Sequence, residues 1–354
     1  MRDTVLHRWS PFLRPAPGAP APSPALNTLR YTGLPRAARR GTMINLVNGR
    51  LTAMTTNPNA TAGSLRRGLA AIAAIFFLPL GYAVTAHYTD GSQAVDWRSA
   101  RRDSSGLAPD PVLTREAVIQ VYAARAVRWR GAFGVHTWIT AKPQGADHYT
   151  RFEVIGFGVA RGGKAVRVRS GVPDAYWFGS RPTLLREVRG GAEVDRLIER
   201  LHAAAASYPY DGEYRVWPGP NSKTFVAHLA RALPELRLEL PPTAIGKDYL
   251  PGGAVVARSP SGSGLQLSLG GVLGVTVALE EGFEFNLLGL SAGIDLWPPA
   301  LKLPGIGRLG LPEHDGPHLL APEPAAPPIT HVQHDPPGVT GEAREAEAGR
   351  GGDS

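Results

Sequence analysis

VHTWITAK at Val135–Lys142, PQGAD at 143–147 and YTRFEVIGFG at 149–158 decide how this chain folds. Both arms are rich in β-branched and aromatic side chains, which fit a pleated surface. Proline, glycine and aspartate between them are turn formers, so the stretch reads as an antiparallel hairpin. Upstream, AVIQVYAARA at 117–126 fits helix or strand, with Val118, Ile119, Val121 and Tyr122 leaning toward strand. Downstream, KAVRVRSG at 164–171 alternates as a third strand.

Two helices follow. Val194, Leu197, Ile198 and Leu201 recur at i, i+3, i+4 and i+7 within 192–206. A second helix starts near Asn221 and Ser222 and runs to Leu233, with Phe225, Val226 and Leu229 on its apolar side and Pro234 ending it. Beyond Tyr249, short strand-like runs broken by glycine read as a β meander. The expected fold class is α+β, a mainly antiparallel sheet with packed helices.

The chain has 354 residues and no cysteine, which excludes disulfides, zinc-thiolate sites, iron–sulfur clusters and a cysteine nucleophile. Its 42 glycines and 33 prolines predict substantial irregular structure. The formal charge of +8 is unevenly placed: residues 1–67 hold ten arginines and one acid, a net +9, so the remainder carries −1. A nearly neutral folded portion argues against nucleic acid as a partner. His148, His202 and His228 lack paired metal-ligand spacing, and no cofactor or metal is expected.

Residues 68–86, GLAAIAAIFFLPLGYAVTA, contain no charge. About 20 apolar residues are needed to cross a bilayer, so this run predicts one transmembrane helix or signal anchor. Arg66 and Arg67 favour a cytoplasmic N-terminal flank, although Arg98, Arg101 and Arg102 oppose that bias. Met43 and Met54 are alternative starts, and Val84 and Ala86 fit a cleavage site. The expected organisation is a disordered leader at 1–64, a membrane segment at 65–88 and a linker at 89–111. A globular domain follows at 112–300 (core 115–250, β-rich extension 251–300), then a disordered tail at 301–354. The expected location is the inner membrane, single-pass, with the domain on the extracytoplasmic side.

His136 on the first arm of the hairpin and Ser222 at a helix start form the candidate catalytic pair. A hydroxyl there sits at the positive end of the helix macrodipole beside unpaired N–H groups that suit an oxyanion. It needs a base, which His136 would supply, with Glu153 on the partner arm orienting the ring. The plainer alternative is that Asn221 and Ser222 simply cap the helix and His136 is a structural histidine. Trp138, Asn221, Lys247 and Asp248 are candidate binding residues; for Lys247 and Asp248 an exposed salt bridge is the competing expectation. Asp174 and Trp177 are expected to shape a loop over the same cleft, or to serve as turn and core.

GAFGVHTWI at 131–139, PDAYWFG at 173–179, YRVWPGPNSKTFV at 214–226 and LPPTAIGKDY at 240–249 together resemble the bacterial family catalogued as domain of unknown function 3750. The likeness spans roughly residues 97–249 and continues less distinctly to about 299. A remoter resemblance is to circularly permuted papain-like folds, the NlpC-type peptidases and lecithin:retinol acyltransferase-like proteins. There a strand histidine precedes a nucleophile in an Asn-Cys-x-x-Phe motif at a helix start. Asn221-Ser222-Lys223-Thr224-Phe225 is similar, but serine stands where that pattern has cysteine. An alkoxide is scarcely populated near neutral pH where a thiolate is. The resemblance therefore implies either a hydrolase or acyltransferase acting on an envelope amide or ester, or a non-catalytic envelope module binding peptide, glycan or lipid in the same cleft.

Overall fold

The computed structural model describes residues 42–47, 50–55, 58–89, 96, 98–311 and 318–319, with side chains over 62–89, 96 and 98–311. The chain divides into two units, Met1–Gly68 and Leu69–Ser354. In the first, β1 (Thr42–Val47) and β2 (Arg50–Thr55) pair antiparallel. The sequence reading of 1–64 as a leader without regular structure did not anticipate this hairpin. Its signal is the Asn48-Gly49 pair, a favoured hairpin dipeptide. The rest of the expected leader up to 57, and the expected tail from 320 onward, lie outside the described residues.

Helix α1 (Pro58–Thr89) starts seven residues before the expected membrane segment and continues into the second unit. Its Ala62–Thr89 portion is long and apolar enough to cross a membrane. Leu69, Ile72, Ile75, Phe77 and Leu78 are exposed along it.

The second unit contains two sheets. The first has the order β15-β7-β3-β4-β5-β6. Its strands are β3 (Ala117–Arg125), β4 (Val135–Lys142), β5 (Thr150–Val154), β6 (Val166–Ser170), β7 (Thr183–Gly190) and β15 (His318–Leu319). The β4–β5 hairpin has the expected antiparallel pairing, with Ile139 opposite Phe152. β3 settles as a strand because it lies centrally between β4 and β7, where nearly every residue of AVIQVYAAR is buried. A strand covered on both faces reads as a continuous apolar run, which is why its periodicity alone is ambiguous.

α2 (Ala192–Ala206) and α3 (Ser222–Ala232) pack together and onto β3 and β4. Val194, Leu197, Ile198 and Leu201 of α2 join Phe225, Val226 and Leu229 of α3 over Ile119, Val121, Ile139 and Phe152 in one core. Leu233 and Pro234 end α3 as its sequence predicts.

The second sheet is an antiparallel meander: β8 (Val256–Arg258), β9 (Gly264–Leu269), β10 (Leu273–Ala278), β11 (Gly282–Leu287), β12 (Leu290–Leu296), β13 (Pro299–Leu303) and β14 (Gly307–Gly310). It runs ten residues past the expected end of the domain at 300. Its alternation is the reverse of an ordinary half-buried sheet. Gln266, Thr276, Glu284 and Lys302, in register across neighbouring strands, are buried; Leu265, Val277, Phe283, Ile294, Leu301 and Leu309 form an exposed row.

The buried polar face is paired with the segment that follows α3. Lys302 contacts Glu239 at 2.5 Å, Asp295 at 2.7 Å and Glu284 at 3.0 Å. Lys247 pairs with Glu284 at 2.5 Å, and Asp248 accepts hydrogen bonds from Gln266 (2.6 Å) and Asn286 (2.5 Å). The exposed salt bridge expected at Lys247 and Asp248 is thus replaced by a buried network, because the meander covers both side chains. Burial raises the Asp248 carboxyl above its ordinary range.

Candidate functional site

His136 and Glu153 come from facing strands of the β4–β5 hairpin, their side chains meeting with His136 Nε2 at 3.5 Å from Glu153 Oε2. A carboxylate cannot donate, so Nε2 carries the proton and Nδ1 presents its lone pair. Arg151 donates from Nε to the same Glu153 oxygen at 3.0 Å, and Arg169 reaches the other at 3.6 Å. Trp177 stacks on the imidazole at 3.6 Å, and Trp138, two residues along β4, lies beside it at 5.7 Å. Arg151 lies over the Trp138 face at 4.2 Å, and Trp138 Nε1 donates to the Pro173 carbonyl at 2.7 Å.

Burial pushes the His136 imidazole down to about 4, against the opposing pull of Glu153. Burial also acts to raise Glu153, but the hydrogen bond from His136 and the charge of Arg151 hold it down at about 2. Near neutral pH the pair is a neutral imidazole on an anionic carboxylate, the resting state a general base requires.

Ser222 is the first residue of α3, directly after the cap. Asn221 Oδ1 accepts from Lys223 N at 3.0 Å and Thr224 N at 3.3 Å, and Thr224 Oγ1 accepts from Asn221 N at 3.2 Å. The asparagine amide donates to the Val216 and Ile245 carbonyls, both at 3.2 Å, tying the helix start to two loops. Asn221 is therefore a cap and a brace. It also consumes two of the N–H groups expected to serve an oxyanion, leaving the Ser222 N–H as the first-turn donor outside the cap. Gly246 makes this close approach possible: its φ is +107°, and a Cβ there would lie 2.4 Å from the Asn221 amide nitrogen.

The Ser222 hydroxyl is buried and has no hydrogen-bond partner among the described residues. Ser222, His136, Trp177 and Lys223 line one cavity of about 380 Å³ whose other walls are largely apolar, including Leu80, Ile245 and Leu288. That volume falls within the range of small-molecule sites. The two residues chosen from the sequence thus share a pocket, although the hydroxyl makes no hydrogen bond to the ring. A larger cleft of about 800 Å³ borders it through Ala126, Val127 and Trp177 but includes neither His136 nor Ser222.

Lys223 escaped the sequence reading, where it passes for an ordinary helix lysine. Its side chain is buried and has no ion pair among the described residues; burial, then the nearby Arg130 charge, pushes its ammonium down to about 8. Arg151 likewise had no role in the sequence reading, whereas Trp177, expected over the same cleft or as core, lines the cavity and stacks on His136. Arg151 precedes Glu153 by two residues on β5, so strand alternation puts both on one face and could have signalled it, whereas the Trp177 contact comes from a loop that no spacing rule records.

Of the expected binding residues, Trp138 stands behind His136 and Asn221 holds the helix start, while Lys247 and Asp248 are not among the residues lining this cavity. Asp174 accepts from Ser104 and Ser105 and from the Leu107 backbone at 2.6 Å, anchoring the segment before β3 beneath the Trp177 loop. Among the described residues no cluster of three or more histidine and carboxylate side chains gathers as metal ligands.

Residues 116–249 match the family described as Protein of unknown function (DUF3750). The match bears out the family resemblance over the stretch that carries His136, Glu153 and Ser222. No curated protein matches this chain, and no solved structure does.

Proposed function

We propose that this chain is a single-pass membrane protein whose domain acts on an acyl ester or amide of the cell envelope, with Ser222 as nucleophile, His136 as general base and Glu153 as the group that orients the ring. The observation that carries this is the cavity that His136 and an unpartnered Ser222 hydroxyl share, with the far side of the imidazole held by a carboxylate.

His136 Nδ1 takes the serine proton as Oγ bonds to the acyl carbon, and Glu153 stabilises the imidazolium that forms. The oxyanion is met by the Ser222 N–H and the Lys223 ammonium. Collapse breaks the bond to the leaving oxygen or nitrogen, which takes the proton from His136. Water or an acceptor alcohol or amine then releases the acyl group, giving hydrolysis or transfer. The apolar walls suit an acyl chain better than a glycan. The order strand histidine, then helix-start nucleophile, with α3 packed on β4, supports a permuted papain-like arrangement.

Arg66 and Arg67 support a cytoplasmic N-terminal flank and hence an extracytoplasmic domain on the inner membrane. The second reading is an envelope module that binds such a chain without turnover. It is favoured by serine standing where the resembled motif has cysteine.

The test is labelling of the full chain in detergent with an alkyl fluorophosphonate. The expected result is labelling of the wild type, none in Ser222→Ala, and a rate roughly 10²–10⁴-fold lower in His136→Gln. Labelling that survives Ser222→Ala, or a wild type that never labels, overturns the catalytic reading.

A further inference from the structure

The meander exposes a row of apolar side chains while burying charged ones. Leu267 is 53% exposed, Val277 58% and Leu265 61%, whereas Glu284, Lys302 and Gln266 beneath them are sealed. A sheet in contact with water on that face would show the opposite pattern. Scattered apolar surface residues are ordinary, but a contiguous face of them on an antiparallel sheet marks an interaction surface.

The occupant is indicated by α1. Phe76, only 3% exposed, meets Phe285 of β11 edge-on at 6.0 Å, and Phe285 neighbours Val275 of the same apolar face. Further along, Leu80 and Ala83 lie against Gly305, and His87 Nε2 meets the Arg128 carbonyl at 3.1 Å. The helix is therefore docked on the domain from Phe76 onward, while Leu78, 71% exposed, and Phe77 face away. If hydrocarbon surrounds those side chains, the sheet face continuous with the helix sits at the same depth. Trp297 at the β12–β13 turn is 86% exposed, the placement an indole adopts at a membrane–water boundary.

We infer that the outward apolar face of β9–β13 is seated in the membrane interface, a second contact with lipid beside α1. The inference rests on α1 being the anchor. An open sheet has edges whose N–H and C=O groups cannot enter hydrocarbon, so the face rests on the bilayer and does not cross it. Its insertion depth is on the order of 5–10 Å, as for interfacial amphipathic elements. Lys302 and its three carboxylates lie on the protein side of the sheet and keep their charges away from lipid.

The chain has no native cysteine, so single introduced thiols can be labelled cleanly. The experiment places an environment-sensitive dye at Leu267→Cys, Val277→Cys, Leu78→Cys on the helix, and Glu199→Cys on the exposed side of α2. Each full-length variant is reconstituted in phosphatidylcholine–phosphatidylglycerol vesicles with or without brominated acyl chains. The expected result is bromolipid quenching at residues 267 and 277 at least half that at 78, and several-fold above that at 199. Quenching at 78 with none at 267 and 277 overturns the seated sheet and leaves the anchor standing. No quenching at any position overturns the anchor as well. Dyes at 267 and 277 that are shielded from water yet unquenched by lipid place protein on the face and also overturn the inference.

Discussion

Lowering the pH from 7 to 5 removes about 2 kcal/mol of folding stability through His136 alone. The imidazole ionises near 6.5 when free and at about 4 in the fold. Because the folded value is depressed, the contribution is complete above the unfolded value and is lost as the pH falls. Between the two values the unfolded chain takes up a proton that the folded chain refuses, at a cost of about 1.4 kcal/mol per pH unit, with a ceiling of about 3 kcal/mol below the folded value. Glu153, depressed from 4.5 to about 2, extends the loss into stronger acid in the same direction. Asp248 works oppositely, since a raised carboxyl favours the fold below its unfolded value and loses that contribution as the pH rises through the folded one.

The His136 share is isolated by comparison with His136→Phe, which keeps an aromatic ring against Trp177 and removes the titration. Urea unfolding of the full chain in neutral detergent, followed by the fluorescence of Trp138 and Trp177, gives the stability of both proteins at pH 7 and 5. The wild type should lose about 2 kcal/mol more than the variant over that interval. Parallel losses would show that His136 titrates normally in the fold, and the dry histidine stacked on Trp177 would then be wrong.

Three further outcomes follow from the same contacts. Lys302→Met removes the cation that Glu239, Glu284 and Asp295 share under the meander and should cost about 3–5 kcal/mol by urea unfolding, because one partner of a buried ion network has been removed. Asn221→Ala deletes the cap to Lys223 N and Thr224 N and should lower stability by about 1–2 kcal/mol, read as a lower thermal midpoint. Lys223→Met should slow fluorophosphonate labelling roughly 10²-fold, as for loss of an oxyanion donor. Its stability should hold or rise, since a buried cation without an ion pair among the described residues has been replaced by an apolar chain of similar length.

Local chemistry was enough to read several elements from the sequence. The β-branched arms around Pro143 and Gly145 specify the hairpin, the i, i+3, i+4, i+7 spacing in 192–206 specifies α2, and Asn221 before an apolar stripe specifies the start of α3. The uncharged run at 68–86 specifies a helix able to cross a membrane. Each depends on interactions within a few residues, which a linear pattern records.

The sheet that binds Lys247 and Asp248 was not legible. Alternation in 264–303 shows which residues share a face, but not which face is covered, and the usual assumption that the apolar one is inside fails here. Only the tertiary structure decided it, because burial of Glu284 depends on partners from distant segments, Lys247 and Lys302. The same holds for the candidate site. Sequence proposed His136, Glu153 and Ser222 as chemically suitable, and packing of α3 against β4 brought His136 and Ser222 to one cavity. Packing also set the protonation state of the imidazole, since a pKa follows from the water excluded and the charges nearby, and neither is written in the order of residues.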